Sequence, residues 1–166
     1  GEILIVNKNE IKKKIFWDIK YAKNNNLNIQ FNSKKIFDTL DQSVKIRMRS
    51  DVEVGAFLSG GLDSSAICKL ASKYTSKKLK TFTLIYEKEY KNKAEDRFFA
   101  RKISQEIKSD HHELFISPKN ILKNIEPALE AFDQPFAGVI SGYFLSKLIS
   151  KHVKTCLSGD GADELF

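Results

Sequence analysis

The stretch VGAFLSGGLDSSAICKL, residues 54–70, decides the fold. It opens with a short apolar run that is typical of a buried strand, and it closes with apolar residues at helical spacing. Two adjacent glycines, an aspartate and three serines stand between them. Glycine lets the backbone turn tightly and come close to a ligand, and the free N–H groups and dipole that begin a helix favour anions. The stretch therefore predicts a strand, an anion-binding loop and a helix.

A second stretch, VKTCLSGDGADELF at residues 153–166, repeats this design. An apolar run again ends in Ser-Gly, and acidic residues follow. In open parallel sheets, ligands bind at the carboxyl ends of the strands. We therefore expect both loops to lie at one edge of a sheet.

The pattern of the whole chain predicts an α/β fold. Strand-like runs and helical patterns alternate, which favours a Rossmann-like parallel sheet with helices on both faces. In the helix at 94–107 we expect Phe98, Phe99, Ile103 and Ile107 to face the core. The predicted strands are 54–58, 79–86, 112–116 and 153–157, and the predicted helices are 33–50, 64–74, 94–107, 117–132 and 143–152.

The first residues predict a separate element. Residues 2–6 and 11–19 are strand-like and are joined by a polar turn, so they predict a β-hairpin. Residues 20–28 are polar and rich in Asn, which is typical of a linker. We therefore expect a hairpin and linker at 1–28 and the main domain at 29–166.

The composition is that of a globular protein. Hydrophobic residues make up 42% and charged residues 30% of the 166 residues. The longest apolar runs are too short to cross a bilayer, so we expect a cytoplasmic protein without a membrane partner. Cys68 and Cys156 lack zinc or thioredoxin spacing, and we expect two buried, reduced thiols. The net charge is +7, yet the lysines are scattered, which favours small anionic substrates over nucleic acid.

The first loop has the residue types of a phosphate site that includes a metal ion. Ser59, Ser64 and Ser65 add hydroxyl donors to the backbone N–H groups. Asp63 is a carboxylate beside an anion site, which makes sense if Mg²⁺ accompanies the anion, because Mg²⁺ takes carboxylate and phosphate oxygens together. A plain turn in which Asp63 or Ser64 caps the helix explains the same residues and stays open.

Two common nucleotide motifs are excluded. A Walker P-loop needs Lys directly after its last glycine, and neither Gly60 nor Gly61 is followed by Lys. A dinucleotide fingerprint needs glycines that are spaced apart, whereas these two are adjacent.

Ser-Gly-Gly-Leu-Asp-Ser, residues 59–64, resembles the pyrophosphate loop of the ATP pyrophosphatase superfamily, in which the loop holds the β,γ-pyrophosphate of ATP. LSGDGADELF at 157–166 resembles the second signature of glutamine-dependent asparagine synthetases. Further segments similar to that family are 94–107, 110–118 and 132–148. The resemblance implies an adenine nucleotide alpha hydrolase-like fold. It also implies that 1–28 is the tail of an N-terminal glutaminase domain with its linker, and that 29–166 is the N-terminal part of a longer synthetase domain.

The resemblance implies an ATP site, position by position. The backbones of Phe57 and Leu84 would flank adenine, although the family usually has a small aliphatic residue where Phe57 stands. Asp63 would hold Mg²⁺. The other residues that would contact ATP are Ser59, Gly60, Gly61, Ser64, Ser65, Ser158 and Gly159.

The resemblance also implies roles for three acids of the second loop. Asp160 matches a position tied to forming and consuming an aspartyl-adenylate, and it would take a proton from ammonia. Asp163 and Glu164 match acids near the aspartate amine and the metal, with Asp163 as a further Mg²⁺ ligand. Helix-dipole stabilisation and a capping box that starts at Asp160 explain acids at these positions as well, and both stay open.

The implied reaction is asparagine synthesis. ATP activates aspartate as an aspartyl-adenylate, and ammonia from glutamine then displaces AMP. The implied partners are aspartate, ATP, ammonia, a glutaminase domain in the full-length protein and a second copy of the chain in a homodimer. We expect residues 1–166 alone to be inactive, because further family contacts would follow Phe166. Two alternatives stay open: an adenylating amidotransferase for another carboxylate, since residues 137–144 depart from the usual sequence, and a non-catalytic nucleotide-binding module.

Overall fold

The structure, a computed structural model, describes residues 1–20, 29–87, 93–132 and 138–163. It divides into two compact units, Gly1–Ile36 and Phe37–Phe166. Within the described residues, no helix is both long and apolar enough to cross a membrane.

The first unit contains the predicted hairpin. β1 (Glu2–Val6) pairs antiparallel with β2 (Ile11–Ile15). The hairpin is confirmed, and its second strand ends at Ile15 rather than at residue 19. The predicted linker at 20–28 lies almost wholly outside the described residues. Helix α1 (Ile29–Arg47) begins in this unit and ends in the second.

The second unit continues from α1 with alternating strands and helices. Its elements are β3 (Val54–Phe57), α2 (Leu62–Ser72), β4 (Lys80–Tyr86), α3 (Lys93–Glu106), β5 (Asp110–Ile116), α4 (Pro118–Lys123), α5 (Ile125–Glu130), α6 (Val139–Ile149) and β6 (Thr155–Leu157). The four strands form one parallel sheet in the order β5-β4-β3-β6. The predicted α/β fold with a parallel sheet is confirmed.

Helices cover both faces of this sheet. Successive side chains of a strand point to opposite faces, and the register pairs Ala56 with Thr81 and Phe57 with Phe82. On one face, Phe82 packs with Ile149 at the end of α6. The opposite face is the larger core, which α1, α2 and α3 cover. Its buried residues are Val44, Ala56, Leu58, Cys68, Leu70, Ala71, Leu79 and Ala100.

Gly55 makes room for the largest fully buried side chain, Phe82. A Cβ at Gly55 would lie 2.7 Å from Phe82 Cε2 and 3.1 Å from Val153 Cγ2. Burial of a Phe side chain contributes roughly 1.5–3 kcal/mol. The glycine in β3 therefore lets an aromatic ring from β4 fill the face beneath α6.

The strand order places both loops at one edge. The chain runs from β3 to β4 and on to β5 in one direction, and β6 then adds on the other side of β3. This reversal is the switch point at which α/β proteins bind ligands. Since β3 and β6 are parallel neighbours, the loops that follow them lie side by side at their carboxyl ends. The expectation that both loops share a sheet edge is confirmed.

Three helices begin two to four residues earlier than predicted. α1 starts at Ile29 rather than 33, α2 at Leu62 rather than 64, and α6 at Val139 rather than 143. The apolar pattern marks where a helix meets the core, whereas the first turn needs no apolar residue and is missed by periodicity alone.

The helix predicted at 117–132 is two helices, α4 and α5. The predicted N-cap is confirmed, because the Ser117 hydroxyl accepts from the N–H of Asn120 at 3.2 Å. Pro127 has no N–H to donate to the carbonyl of Lys123, and its ring crowds that oxygen. The chain accordingly breaks at Asn124, which has φ −114° and ψ 11°.

The predicted inner face of α3 is partly wrong. Ile103 and Ile107 pack on the core as expected, and Ala100 is fully buried. Phe98 and Phe99, by contrast, are 63% and 45% exposed. α3 approaches the first loop through Ala100, whose nitrogen would lie 3.0 Å from a Cβ at Gly60. This orientation turns the two aromatic residues outward.

The two cysteines are free thiols, as predicted. Cys68 is fully buried in α2, and its Sγ donates to the Phe57 carbonyl at 3.3 Å. Burial raises the pKa of the Cys68 thiol to about 12, and burial likewise raises the pKa of the half-buried Cys156 to about 12. Both thiols are therefore protonated at neutral pH.

We expect both cysteines to resist alkylation in the native protein. A rise in pKa from 9.0 to about 12 lowers the reactive thiolate fraction roughly a thousandfold near pH 8. The measurement is a time course of iodoacetamide labelling by mass spectrometry, with denatured protein as the control that should label twice. Because the unfolded chain loses these protons first, the free energy of unfolding should fall as the pH rises from about 9 toward 12. Rapid native labelling of Cys156 at pH 8 would contradict this.

Candidate functional site

The first loop is held in shape by its own serines. The Ser59 N–H donates to Ser64 Oγ at 3.2 Å, and the two hydroxyl oxygens lie 2.8 Å apart. The Ser64 hydroxyl donates to the Gly61 carbonyl, and the Gly61 N–H donates to Ser59 Oγ, each at 3.2 Å. Since Ser64 gives its one hydrogen to Gly61, the Ser59 hydroxyl donates to Ser64. Both hydroxyls thus brace the loop, whereas the sequence suggested that they donate to an anion.

The amino end of α2 has no side-chain cap in the part of the chain that the structure describes. Its N-cap is Gly61, which has φ −68° and ψ 166°. The alternative in which Asp63 or Ser64 is the N-cap is therefore wrong. In the first turn, the N–H groups of Leu62, Asp63 and Ser64 have no carbonyl within the helix to bond. Such an end, with its positive dipole, is suited to an anion.

Gly60 is required by the packing of α3. Its φ is 95°, a conformation that favours glycine. A Cβ there would lie 1.9 Å from the Asp96 carbonyl oxygen and 3.0 Å from the Ala100 nitrogen. A Cβ at Gly61, by contrast, would meet Ser59 Oγ at 3.4 Å, an ordinary contact. The two adjacent glycines therefore do different things: Gly60 admits a neighbouring helix, and Gly61 leaves the end of α2 open.

The second loop packs directly on the amino end of α2. A Cβ at Gly159 would lie 2.9 Å from the Ser64 nitrogen and 3.1 Å from the Asp63 carbonyl carbon. The Asp160 N–H donates to Ser158 Oγ at 3.1 Å, which forms a tight turn. Only a residue without a side chain allows this approach of the two backbones.

The acids of the second loop are only partly described. Asp160 and Asp163 are exposed, and residues 158–163 form turns rather than a helix. A capping box beginning at Asp160 is therefore not formed within this range. Glu164 lies outside the described residues, and its assignment stays a prediction.

Two cavities flank the first loop. We call them the strand-end cavity, of about 200 Å³, and the loop cavity, of about 350 Å³. The strand-end cavity is lined by Phe57, Leu58, Ser59, Phe82, Thr83, Leu84, Ile85, Tyr86, Asp96, Arg97, Ser141 and Leu145. The loop cavity is lined by Leu40, Ser43, Val44, Arg47, Asp63, Ala66, Ile67, Leu157, Ser158, Gly159, Asp160, Gly161 and Ala162.

Seven of the predicted site residues line one or other of these cavities, whereas Gly60, Gly61, Ser64, Ser65 and Asp163 line neither. Three of them, Phe57, Ser59 and Leu84, line the strand-end cavity. Four others line the loop cavity, and they are Asp63, Ser158, Gly159 and Asp160. Ser65 lies half-buried in α2, and its N–H donates to the Gly61 carbonyl at 3.1 Å as the first bond of the helix.

Sequence reasoning missed several polar lining residues, among them two arginines and a serine. Ser141, on α6, has its hydroxyl 2.7 Å from the Tyr86 hydroxyl in the strand-end cavity. Arg97 lines the same cavity, and Arg47 lines the loop cavity. A signal for Arg97 was available, because the first turns of a helix that follows a parallel strand stand at the carboxyl edge of the sheet.

A charged cluster connects α3 to β5 beside the strand-end cavity. Arg101 Nε and Nη2 donate to the two carboxylate oxygens of Glu113 at 2.6 and 2.7 Å. These bonds hold the pKa of Glu113 below its usual range. His111 Nε2 lies 3.7 Å from the same carboxylate, and burial lowers the pKa of that imidazole. His111 is thus neutral at pH 7, and Glu113 is an anion held chiefly by Arg101.

The described residues contain no group of three or more His, Cys, Asp or Glu side chains placed to hold a metal ion. Mg²⁺ in nucleotide sites is often bound by one or two carboxylates together with substrate phosphates. Asp63 fits that pattern, since it stands exposed in the first turn of α2. The assignments of Asp63 and Asp163 to Mg²⁺ stay predictions.

Comparison with known proteins identifies the family. The model of the asparagine synthase family matches residues 35–166, which include both loops. The chain belongs to the asparagine synthase family. The resemblance inferred from the two loops is thereby confirmed.

Three named members of this family are similar to the chain in sequence. The putative glutamine-hydrolyzing asparagine synthetase 2 of Methanocaldococcus jannaschii is 36% identical over 99% of this chain and 32% of its own length. Glutamine-hydrolyzing asparagine synthetase 1 of Bacillus subtilis is 37% identical over 80% of this chain and 21% of its own length. The glutamine-hydrolyzing asparagine synthetase of Bos taurus is 32% identical over 75% of this chain and 23% of its own length. The chain thus spans about a third or less of these asparagine synthetases.

A solved structure is also similar to the chain. The NH3-dependent NAD synthetase of Campylobacter jejuni, in complex with nitrate, has a TM-score of 0.46 and 15% identity, and the match covers 75% of this chain and 54% of that one.

The two glycines of the first loop should respond differently to substitution by alanine. We expect Gly60→Ala to lower the free energy of unfolding by about 1–3 kcal/mol, because its φ and the Asp96 carbonyl both exclude a Cβ. We expect Gly61→Ala to cost no more than about 1 kcal/mol, since an N-cap Gly has only a modest advantage over Ala. Urea unfolding followed by circular dichroism measures both. Equal losses for the two variants would show that the loop is not packed on α3 in this way.

Proposed function

We propose that the chain carries the ATP- and pyrophosphate-binding part of a glutamine-dependent asparagine synthetase that forms AMP. The observation that carries the proposal is the uncapped amino end of α2, against which Gly159 of the second loop packs. This end lies at the switch point between β3 and β6, where a sheet of this kind binds ligands. The names of the relatives supply the reaction class.

The nucleotide would lie across the carboxyl ends of the strands. Adenine would lie in the strand-end cavity between the backbones of Phe57 and Leu84. The β,γ-pyrophosphate would bind the N–H groups at the start of α2, and Ser158 and Gly159 would border the nucleotide from the second loop. In this arrangement Ser59 and Ser64 keep the loop in its binding shape.

Asp63 would hold Mg²⁺ together with the phosphates, and Asp163 would complete the metal site. When bound, this ion would offset the negative charge that builds up on the departing pyrophosphate. Asp63 is suited to the role because it is exposed in the first turn of α2, beside the proposed anion site.

The proposed chemistry has two displacements. A side-chain carboxylate oxygen of aspartate attacks the α-phosphorus of ATP, and the bond from that phosphorus to the β-phosphate oxygen breaks. Ammonia then attacks the activated carbonyl carbon, AMP leaves with the former carboxylate oxygen, and Asp160 accepts the proton that nitrogen loses. Asp163 and Glu164 would hold the aspartate ammonium. Catalysis would rest on positioning and on the electrostatics of the α2 terminus.

Ammonia would come from glutamine in a separate glutaminase domain, of which residues 1–28 would be the tail. The two cysteines of this chain, Cys68 and Cys156, are core thiols with raised pKa values and do not suit the nucleophile that glutamine hydrolysis needs. Cytoplasmic location, a homodimer and the inactivity of residues 1–166 alone stay predictions from the resemblance.

The first test is product identification with the protein at its natural length. Given MgATP, aspartate and ammonia, the protein should form AMP and pyrophosphate in amounts that depend on aspartate, measured by anion-exchange chromatography. AMP that appears only with another carboxylate would keep the adenylating mechanism and change the substrate. ADP as the product would replace the adenylating mechanism with transfer of the γ-phosphoryl group. Tight ATP binding without turnover would leave a non-catalytic nucleotide-binding module in place of the synthetase.

Asp63→Asn should lower AMP formation by at least about a hundredfold, because loss of one metal-bound carboxylate weakens the electrostatic stabilisation of pyrophosphate. The thermal midpoint should change little, since Asp63 is exposed. Asp51→Asn is the matched control: it removes the same charge at the other end of β3 and should leave the rate within about twofold. An equal effect of both substitutions would remove Asp63 from the site.

A further inference from the structure

Arg97 is a cation inside the strand-end cavity that the proposed function does not use. It stands in the second turn of α3 and lines the cavity together with Phe57, Ser59 and Leu84. The backbone of the preceding residue, Asp96, is in contact distance of Gly60 in the first loop. Arg97 is therefore next to the turn that leads into the anion-binding end of α2.

The guanidinium of Arg97 is held by one ring and by a carboxylate that it shares with a second arginine. Its carbon lies 4.9 Å from the ring centre of Phe115, and Nη2 lies 3.4 Å from Glu113 Oε2. Glu113 already accepts the two short hydrogen bonds from Arg101. Two guanidinium groups thus share one carboxylate, and the nearby His111 adds no negative charge. Glu113 therefore offsets the charge of only one of the two guanidinium groups, and Asp96 is a second carboxylate that lines this cavity.

Arg97 also has hydrogen-bond donors that its contacts with the protein do not use. A guanidinium carries five N–H donors, and Nε of Arg97 is buried without a hydrogen-bond partner among the described residues. Buried donors in proteins are normally paired, so this group calls for an acceptor. Asp96 lines the same cavity, which suits a ligand that has anionic groups and also hydroxyl donors, as a nucleotide has in its phosphates and ribose.

We propose that Arg97 binds a phosphate of the nucleotide and so positions ATP between the adenine contacts and the first loop. This inference rests on the proposed function, because it assumes that the strand-end cavity takes ATP. Arginine suits the task, since its planar, permanently charged fork matches phosphate oxygens. The contacts with Phe115 and Glu113 restrict the direction of that fork before the ligand arrives.

Arg101 provides the control that separates binding from structure. It makes the stronger contact with Glu113 but does not line the strand-end cavity. If Arg97 only braced Glu113, loss of Arg101 would be at least as harmful as loss of Arg97. If Arg97 contacts phosphate, only its own loss should weaken nucleotide binding, and the loss should grow with the number of phosphates.

The experiment compares dissociation constants for MgATP, AMP and adenosine by isothermal titration calorimetry, in the protein at its natural length. Arg97→Gln should weaken MgATP binding roughly 10- to 100-fold, the usual range for a charge-assisted hydrogen bond. Its effect on adenosine should stay within about threefold, and Arg101→Gln should leave all three constants within about threefold. Arg97→Lys should recover part of the MgATP affinity, because it restores the charge but not the fork.

Arg97→Met is a second neutral variant, which keeps an apolar stem over Phe115 and gives the same measurement if the Gln variant does not fold. Equal weakening of MgATP and adenosine, or equal effects of Arg97→Gln and Arg101→Gln, would overturn the inference. Unchanged MgATP binding in the Arg97 variants would overturn it too, while aspartate-dependent AMP formation by the unaltered protein would leave the proposed function standing. Absence of both MgATP binding and AMP formation in the unaltered protein would overturn the two together.

Discussion

The close approach of two backbones at the amino end of α2 is the constraint on which the site depends. Gly159 lies against the backbone of Asp63 and Ser64 at distances that no Cβ could share. The approach is possible because β6 pairs with β3 in a register that puts Leu157 beside Ala56. The two loops consequently leave the sheet at nearly the same height. Residues far apart in sequence thereby form one surface, and the order of the strands, rather than any single side chain, brings them together.

The donors that this surface offers come mainly from the backbone. The hydroxyls of Ser59 and Ser64 are engaged inside the loop, so the first-turn N–H groups of α2 remain as donors for an anion. An anion bound there would stand near exposed carboxylates, among them Asp63 and Asp160. Like charges at short range repel, and a bound cation changes that balance. A positive side chain in the neighbouring cavity, such as Arg97, would also offset the repulsion between these acids and the anion.

The sequence predicted the alternation of strands and helices, the parallel sheet and both loops, because these follow from local patterns that each segment carries. It did not reveal which face α3 presents. There, the small Ala100 rather than Phe98 or Phe99 meets the neighbouring loop, and that choice depends on tertiary packing. The break at Asn124 could have been predicted from Pro127, because proline has no N–H to bond the carbonyl of Lys123, one turn earlier in the helix. The roles of Ser59 and Ser64 needed coordinates, because a hydroxyl that braces a loop and one that binds a ligand look alike in sequence.

The pair Gly60 and Gly61 shows how one motif can combine two requirements. Gly60 has a positive φ and abuts the Asp96 carbonyl, so its lack of a side chain serves the packing of α3. Gly61 is extended and has space for a Cβ, so nothing in its own packing requires glycine. Where the packing of the fold does not require glycine, close approach of a ligand to the backbone is a reason to have one. The first glycine therefore couples the loop to α3, which carries Arg97, and the second keeps the amino end of α2 accessible. The contact with α3 and the exposure of the first-turn N–H groups of α2 thus arise from two neighbouring residues of the same turn.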